Sequence, residues 1–419
     1  MADLDLTPSD RDALAGDRGE AAALAMRILV EVATMTAARR LIDVESAHID
    51  GGLYHGRAGL DFAGRLAAGD ARVSVPTTLN VGSLDLLHPN LYRGDPDTAA
   101  SARRLMDLYV AMGCRATWTC APYQLPDRPA FGRHVAWAES NAIVFANSVL
   151  GARTDRYGDF IDICAAIIGR VPDAGLHRSE NRIGQALFTM TGVSQALLAE
   201  DVLYPVLGHL VGSRTDDLVP VIDGLPRSVS EDRLKALGAA AASSGSVAMF
   251  HAVGVTPEAA TLDEALGGAT PALTFEITPD AIASARDELT STTRTELCAV
   301  SLGTPHFSVA EFEHLADLLD GFEPAPGLEL YISTGRDVLR AAGSSADACA
   351  AAGWQIVTDT CTYVTPIIRR RDGVVMTNSA KWAWYAPANL GVDVAFGSLV
   401  ECVRSAALGR VWRDESLWA

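Results

Sequence analysis

The sequence predicts an α/β protein in which mainly parallel, doubly wound sheets are flanked by helices around a central cleft. Two observations carry this reading. Beyond about residue 215, short β-rich runs alternate with helical stretches of roughly 10 to 15 residues, the pattern of right-handed βαβ units. The residues just past those runs are small and polar, as they are where parallel strands end on a ligand-binding crevice.

Taken in chain order, residues 19–40 place Ala22, Leu24, Ala25, Ile28, Leu29 and Val32 at helical spacing, after Ser9 and Asp10 as caps of an earlier turn. Helical stretches at 99–112, 135–150, 159–168 and 195–211 then alternate with apolar runs at 72–75 and 116–119. The regular half comes next, with β-rich runs at 218–222, 247–253, 272–277, 297–302, 328–332, 355–358, 374–376 and 392–396. Gly, Ser, Asp and Pro cluster over 212–226 and set the expected boundary. An N-terminal α/β region over 1–215 thus precedes a C-terminal doubly wound region over 216–419.

A chain of 419 residues has room for one large or two ordinary α/β domains with a sizeable core. Lys and Arg total 34 against 52 Asp and Glu, and the net charge of −18 is the wrong sign for a nucleic-acid backbone. The opening segment is acidic and polar, unlike a basic-then-apolar leader, and no apolar stretch reaches the length of a membrane span. The expectation is a soluble, cytoplasmic protein that binds neither nucleic acid nor membrane. Cys114, Cys120, Cys164, Cys298, Cys349, Cys361 and Cys402, an odd and scattered set, suit a reducing compartment. Each is either a buried small apolar residue or a metal ligand.

Past the runs of the C-terminal region lie Gly303-Thr304-Pro305-His306, Ser333-Thr334-Gly335-Arg336, Asp359-Thr360-Cys361, Thr377-Asn378-Ser379-Ala380-Lys381 and Gly397-Ser398. Helix capping accounts for Ser333, Ser379 and Ser398. It does not account for His306, Arg336, Cys361 or Lys381, which point to a site. The N-terminal region holds a second polar constellation around His48, Asp50, Asn80, Cys120, Ser140 and Asn141. For His48, a structural hydrogen bond and a catalytic role both stay open. Arg153 and Arg156, beside Asp155 and Asp159, either fork a carboxylate or decorate a solvated turn. GxGxxG after a strand, GxxxxGK[ST], HExxH and GxSxG are all missing, so nicotinamide, nucleotide-driven, zinc-protease and Ser-hydrolase chemistries lose support.

The strings HIDGGLYHG, SVPTTLNVGSLD, WTCAPY, AWAESNAIVFANSVLGARTDRYGDFIDICAAI, LGTPHFS, DTC and MTNSAKWAWY succeed one another over residues 46–385. In this order they resemble the aconitase X family. The resemblance implies an aconitase-like architecture, with α/β domains facing a small swivelling domain, and iron-dependent dehydration of a small hydroxy acid. Bacterial members include cis-3-hydroxy-L-proline dehydratases, which form Δ1-pyrroline-2-carboxylate, and archaeal members include a mevalonate 5-phosphate dehydratase. A phosphate substrate calls for more cationic or Gly-rich donors than this sequence offers, so the amino acid is the expected substrate. The alternatives are the phosphorylated acid and a catalytically inactive metal-binding or regulatory paralogue.

Carried over by position, the resemblance makes Cys120 and Cys361 metal ligands, with iron as a 2Fe–2S cluster or a mononuclear ion. Thr304 and Gly52 stand where some relatives have Cys, so either the third ligand comes from elsewhere, with Cys298 the first candidate, or the centre has fewer protein ligands. Arg153 and Arg156 would hold the substrate carboxylate, while His48, Asp50, Asn80, Ser140, Asn141, His306, Thr304, Arg336 and Asn378 would bind its other groups. Lys381, Ser379 and His306 are the candidates for electrostatic or proton-transfer roles. The family's base is a serine of the swivelling domain, so a small partner subunit is expected to supply it. These residues are expected to line one cleft, with Cys120 and Cys361 converging on the metal.

Overall fold

The structure, a computed structural model, describes residues 4–418. It divides the chain into one unit of Met1–Leu84 with Asp95–Ile183 and a second of Asp85–Gly94 with Gly184–Ala419. The division falls at 183/184 rather than at 215/216. The reason is a strand at Ala186–Met190 that pairs with both Pro220–Asp223 and Leu273–Ile277, so the chain from Gly184 onward shares the later sheet. Gly212, read from composition as the start of the boundary, lies inside the helix Leu203–Thr215.

The first unit holds β1 (Leu41–Asp43), β2 (Ala47–Ile49), β3 (Thr77–Leu79), β4 (Ala136–Trp137) and β5 (Arg170–Pro172). Three of these form a parallel sheet in the order β3-β2-β4, while β1 pairs antiparallel with β5. The helix Glu20–Met35 buries Ala22, Ala25, Met26, Leu29 and Ala33 at spacings of three and four, and that stripe packs on the helix Ile161–Ile168. The helix expected over 135–150 breaks at Glu139, whose φ of 74° is left-handed and whose carboxylate caps the amide of Ala142 at 2.8 Å. Past that break the chain forms a helix at Ser140–Phe145 and a π turn at Ala146–Leu150. Residues 116–119 are not a named strand but lie along β3, where Thr119 N donates to Leu79 O at 3.1 Å.

The second unit carries two all-parallel sheets. One takes β6 (Ala186–Met190), β7 (Pro220–Asp223), β8 (His251–Ala252) and β9 (Leu273–Ile277) in the order β8-β7-β6-β9. The other takes β10 (Leu297–Phe307), β11 (Glu329–Thr334), β12 (Gln355–Val357), β13 (Val374–Thr377) and β14 (Asp393–Phe396) in the order β12-β11-β10-β13-β14. Every residue of the central β10 is buried, as expected of a parallel strand covered on both faces. Val300, Leu302, Phe312, Leu315, Ile332 and Met376 form the core beneath it. The helices Val309–Asp317, Ala380–Leu390 and Leu399–Leu408 start directly after strands, capped by Ser308, Ser379 and Ser398. Strand carboxyl ends therefore coincide with helix amino ends, which fixes where a ligand meets this sheet. No helix among the described residues is long and apolar enough to cross a membrane.

Candidate active site

At the carboxyl ends of β10, β13 and β14 the second unit encloses a cavity of about 270 Å³. Thr304, Asn378, Ser379 and Lys381 line it together, as the sequence leads one to expect. Ser379 Oγ accepts from Trp382 N at 3.0 Å and donates to the Thr304 carbonyl, so its hydroxyl ties two loops together rather than standing ready as a base. Lys381 is 3% exposed in the first turn of its helix. Gly303 has a φ of 85°, and a Cβ there would lie 2.2 Å from Ser333 O, so only glycine lets this strand end approach β11.

The opposite wall is an ion triad, a buried lysine between two partly exposed carboxylates, that sequence reasoning does not reveal. Lys235, 2% exposed, reaches Glu311 Oε2 at 2.5 Å and Asp232 Oδ1 at 2.8 Å, with its Nζ 3.4 Å from the His306 carbonyl. Burial by itself would depress this lysine, but the two carboxylates outweigh it and hold the ammonium above its ordinary range. Burial pushes the Glu311 carboxyl up to about 7 against the opposing pull of Lys235. In sequence, Lys235 reads as one charge on a solvated helix face. The only signals are an Asp232–Lys235 spacing of three and the Ser308–Glu311 capping box, and neither reports burial.

His306 ends β10 fully buried, with Nε2 3.4 Å from Thr360 O and 3.6 Å from Cys361 Sγ. Burial, reinforced by Lys235 and Lys381, lowers its pKa to about 4, so the ring is neutral at pH 7. A neutral imidazole beside a buried thiol is a donor set that fits iron. Cys298 does not join it. That residue begins β10 and donates to Val374 O at 3.5 Å. Eight positions along an extended strand separate it from His306 by roughly 25 Å at about 3.3 Å per residue, so its assignment as third ligand is corrected.

Arg336 is also reassigned. Its Nε and Nη2 bind Asp359 Oδ1 and Oδ2 at 2.6 and 2.5 Å, and Asp359 in turn accepts from Leu86 N at 3.1 Å. The guanidinium fork is thus used to anchor the loop that carries Cys361, not to receive a substrate.

In the first unit, Asp50, Asn80 and Glu139 lie just past the carboxyl ends of the three parallel strands. Asn80 donates to the Asp50 carboxylate. Asp162 accepts from the backbone of Asp50 at 2.8 Å and of Ile163 at 2.6 Å. Burial pushes both aspartates up to about 7, with Glu139 and Asp159 adding to the effect on Asp50. His48 sits one row back on β2, its Nδ1 2.8 Å from Thr78 Oγ1 and its Nε2 without a partner among the described residues. Burial lowers its pKa to about 3, so it stays neutral. Asn141 donates to Cys120 O at 2.8 Å and bonds Tyr123, which shapes the loop holding the buried Cys120 thiol. Ser140 Oγ lies 3.3 Å from Glu139 Oε1.

The expected Arg153–Arg156 fork does not form. Arg153 is laddered to the residues that precede β4, at the far end of that strand from Glu139, and its Nη1 donates to His177 O at 2.9 Å. Arg156 is exposed. The buried arginine of this unit is Arg182, 2% exposed, which sequence reasoning passes over. It donates to Asn147 Oδ1 at 2.9 Å and Ala152 O at 3.1 Å and so holds the π turn in place.

Models of three aconitase X domains match this chain, the first over residues 3–180, the second over 184–287 and the third over 297–408. The chain belongs to the aconitase X family. It is 44% identical to cis-3-hydroxy-L-proline dehydratase of Pseudomonas aeruginosa, over 96% of this chain and 70% of that protein. It is 38% identical to the phosphomevalonate dehydratase large subunit of Methanothermobacter thermautotrophicus, over 93% of this chain and 95% of that one. The crystal structure of aconitase X from Thermococcus kodakaraensis in its holo-form superposes with a TM-score of 0.85 at 32% identity, covering 96% of this chain and 100% of that chain. The curated relatives are named as dehydratases, which are hydro-lyases, and the mainly parallel α/β architecture is that of the aconitase X neighbour. The second aconitase X domain begins at 184, where the longer segment of the second unit begins.

Proposed function

We propose that this chain is the large subunit of an iron-dependent dehydratase that converts cis-3-hydroxy-L-proline to Δ1-pyrroline-2-carboxylate. The observation that carries the reading is the buried His306–Cys361 pair at one end of the five-stranded sheet, near enough to Lys381 for that lysine to lower the His306 pKa. The Pseudomonas relative's name supplies the substrate.

Loss of water from a β-hydroxy acid needs an acceptor for the α-proton, a partner for the departing hydroxyl and an anchor for the carboxylate. Iron would be held by Cys361 with His306, and by Cys120 on the strength of the resemblance, as a 2Fe–2S cluster or a single ion. When bound it supplies a Lewis acid at the leaving oxygen. Lys381 places a desolvated positive charge where negative charge builds up as the α-proton leaves. Ser379 is already hydrogen-bonded, which supports a base from outside this chain, a serine of a small swivelling-domain subunit. Relatives spanned over nearly their whole length are named large subunits, which supports the same partner. Lys381, 3% exposed, is a costly place for a charge, which supports a working site over an inactive paralogue.

The test uses the chain and its small partner, reconstituted anaerobically with iron. Formation of the cyclic imine acid from cis-3-hydroxy-L-proline is expected from the pair and not from the 419-residue chain alone. Cys361→Ser is expected to lose both iron and at least 99% of turnover, whereas Cys298→Ser keeps both. Turnover by the chain alone would place the base within it, and no turnover of any hydroxyproline would overturn the reading.

A further inference from the structure

We propose that Asp85 is a positioning residue for the Cys361 thiol: the segment Asp85–Gly94 clamps the loop at 358–366 by both ends and so fixes where that thiol is offered to iron. The proposal deepens the dehydratase reading and rests on it for one thing, that Cys361 is a metal ligand.

In chain order this segment interrupts the first unit, yet it belongs to the second. Its hydrogen bonds give the reason. Asp85, 3% exposed, accepts at Oδ1 from Leu87 N at 2.9 Å and His88 N at 2.8 Å, which closes a turn within the segment, and its Oδ2 lies 3.0 Å from His88 Nδ1. The same carboxylate reaches across 273 positions, where Thr358 N donates to Oδ2 at 2.9 Å and Thr358 Oγ1 to Oδ1 at 3.1 Å. Leu86 N donates to Asp359 Oδ2 at 3.1 Å. At the far end of the segment, Arg93 N donates to Pro366 O at 2.8 Å. The loop is therefore held at its first two residues and at its last.

Between those points its threonine hydroxyls are engaged. Thr360 Oγ1 lies 2.6 Å from Thr365 Oγ1, and Thr362 Oγ1 lies 2.6 Å from Ser301 Oγ and accepts from Trp382 Nε1 at 2.9 Å. Val364 N and Thr365 N both donate to the Cys361 carbonyl, at 3.2 and 3.1 Å. Asp359 has a left-handed φ of 61°, a conformation that persists in a residue with a Cβ where its surroundings hold it. Here Arg336 and Leu86 N hold it from two directions. Two residues on, Cys361 is left with little freedom, its Sγ 3.6 Å from His306 Nε2.

A metal is bound tightly when its ligands are fixed before it arrives, and the groups behind the ligands are typically worth about 10- to 100-fold in metal affinity. A buried carboxylate is costly unless its lone pairs are filled, and those of Asp85 are filled from two segments at once. An asparagine at that place must turn its NH2 group toward one of these sets of donors.

Two measurements separate positioning from a general loosening of the fold. In the iron-free full chain, alkylation by iodoacetamide is read at single cysteines by mass spectrometry. The ratio of the Cys361 rate to that of Cys349, buried in the same unit, cancels any change in global unfolding. Asp85→Asn is expected to raise this ratio at least tenfold, and Arg336→Gln, which frees Asp359 from the other direction, to raise it too. Gly208→Ala, which strains a helix contact instead, is expected to leave it within twofold. In the iron-loaded two-subunit enzyme, Asp85→Asn is expected to release iron to a chelator at least tenfold faster than the wild type. If Asp85→Asn does not fold, Arg336→Gln carries both measurements. An unchanged ratio in the loop variants overturns the clamp, even where the wild-type enzyme dehydrates hydroxyproline. Unchanged iron release overturns it as well when Cys361→Ser loses iron. A raised ratio with iron retained by Cys361→Ser leaves the clamp standing and removes Cys361 from the proposed ligands.

Discussion

Asp162 shows how strongly this fold acts on a single carboxyl group. It has no exposed surface, and burial pushes its pKa up to about 7 from an ordinary value near 4. Between those values the folded chain holds a proton that the unfolded chain has released, so this group's contribution to stability falls as pH rises from 4 to 7. Asp162→Asn removes the titration while keeping an oxygen for the backbone amides. The unfolding free energy of the wild type minus that of the variant is expected to fall across this window by up to a few kcal/mol, at about 1.4 kcal/mol per unit. Denaturant titrations from pH 4 to 7 measure it, and a constant difference would refute the shift. At this scale the sequence is legible where a residue does something its local setting does not need. Cys361 and Lys381 lie beyond strand ends and His306 near the end of β10, where capping has no use for them; Cys361 Sγ is 3.6 Å from His306, and Lys381 lowers that histidine's pKa. Partnerships across long separations are hidden. Nothing local to Arg336 announces Asp359, and nothing local to Lys235 announces Glu311, 76 positions away.

At the scale of elements, β-rich runs alternating with helices mark out most of the second unit, because buried parallel strands are continuous apolar runs. Ala186–Met190 escapes that pattern because a five-residue apolar run has no period to separate strand from helix. The cluster of Gly, Ser, Asp and Pro that starts at residue 212 misleads for a different reason, since Gly212, like Gly208 before it, serves packing rather than flexibility. The helices Leu203–Thr215 and Glu231–Ser244 approach so closely that a Cβ on Gly208 would lie 2.1 Å from Leu237 O, and one on Gly212 2.5 Å from Ala241 O. Backbone cannot yield as a side chain can. Gly208→Ala is therefore expected to destabilise the second unit by about 1–3 kcal/mol. Gly64→Ala, in the helix Arg57–Ala68 with nothing within 4 Å of the added carbon, should be neutral or stabilising by up to about 1 kcal/mol. Thermal unfolding of the two variants compares them directly. Equal melting points would mean that the close helix approach is wrong.

Over the whole molecule, the charge of −18 and the free, buried state of all seven cysteines agree with the reading of a reduced, metal-competent protein rather than a disulfide scaffold. The order of the family strings is legible over nearly the full length because family membership is written in many positions at once. The substrate is written in few. The most direct measurement of the central claim is the ratio of kcat/KM for cis-3-hydroxy-L-proline to that for mevalonate 5-phosphate, taken on the iron-loaded chain with its small partner. A ratio of at least 100, with Δ1-pyrroline-2-carboxylate as product, is the result the proposed function predicts, and a ratio near one or below it would contradict the account.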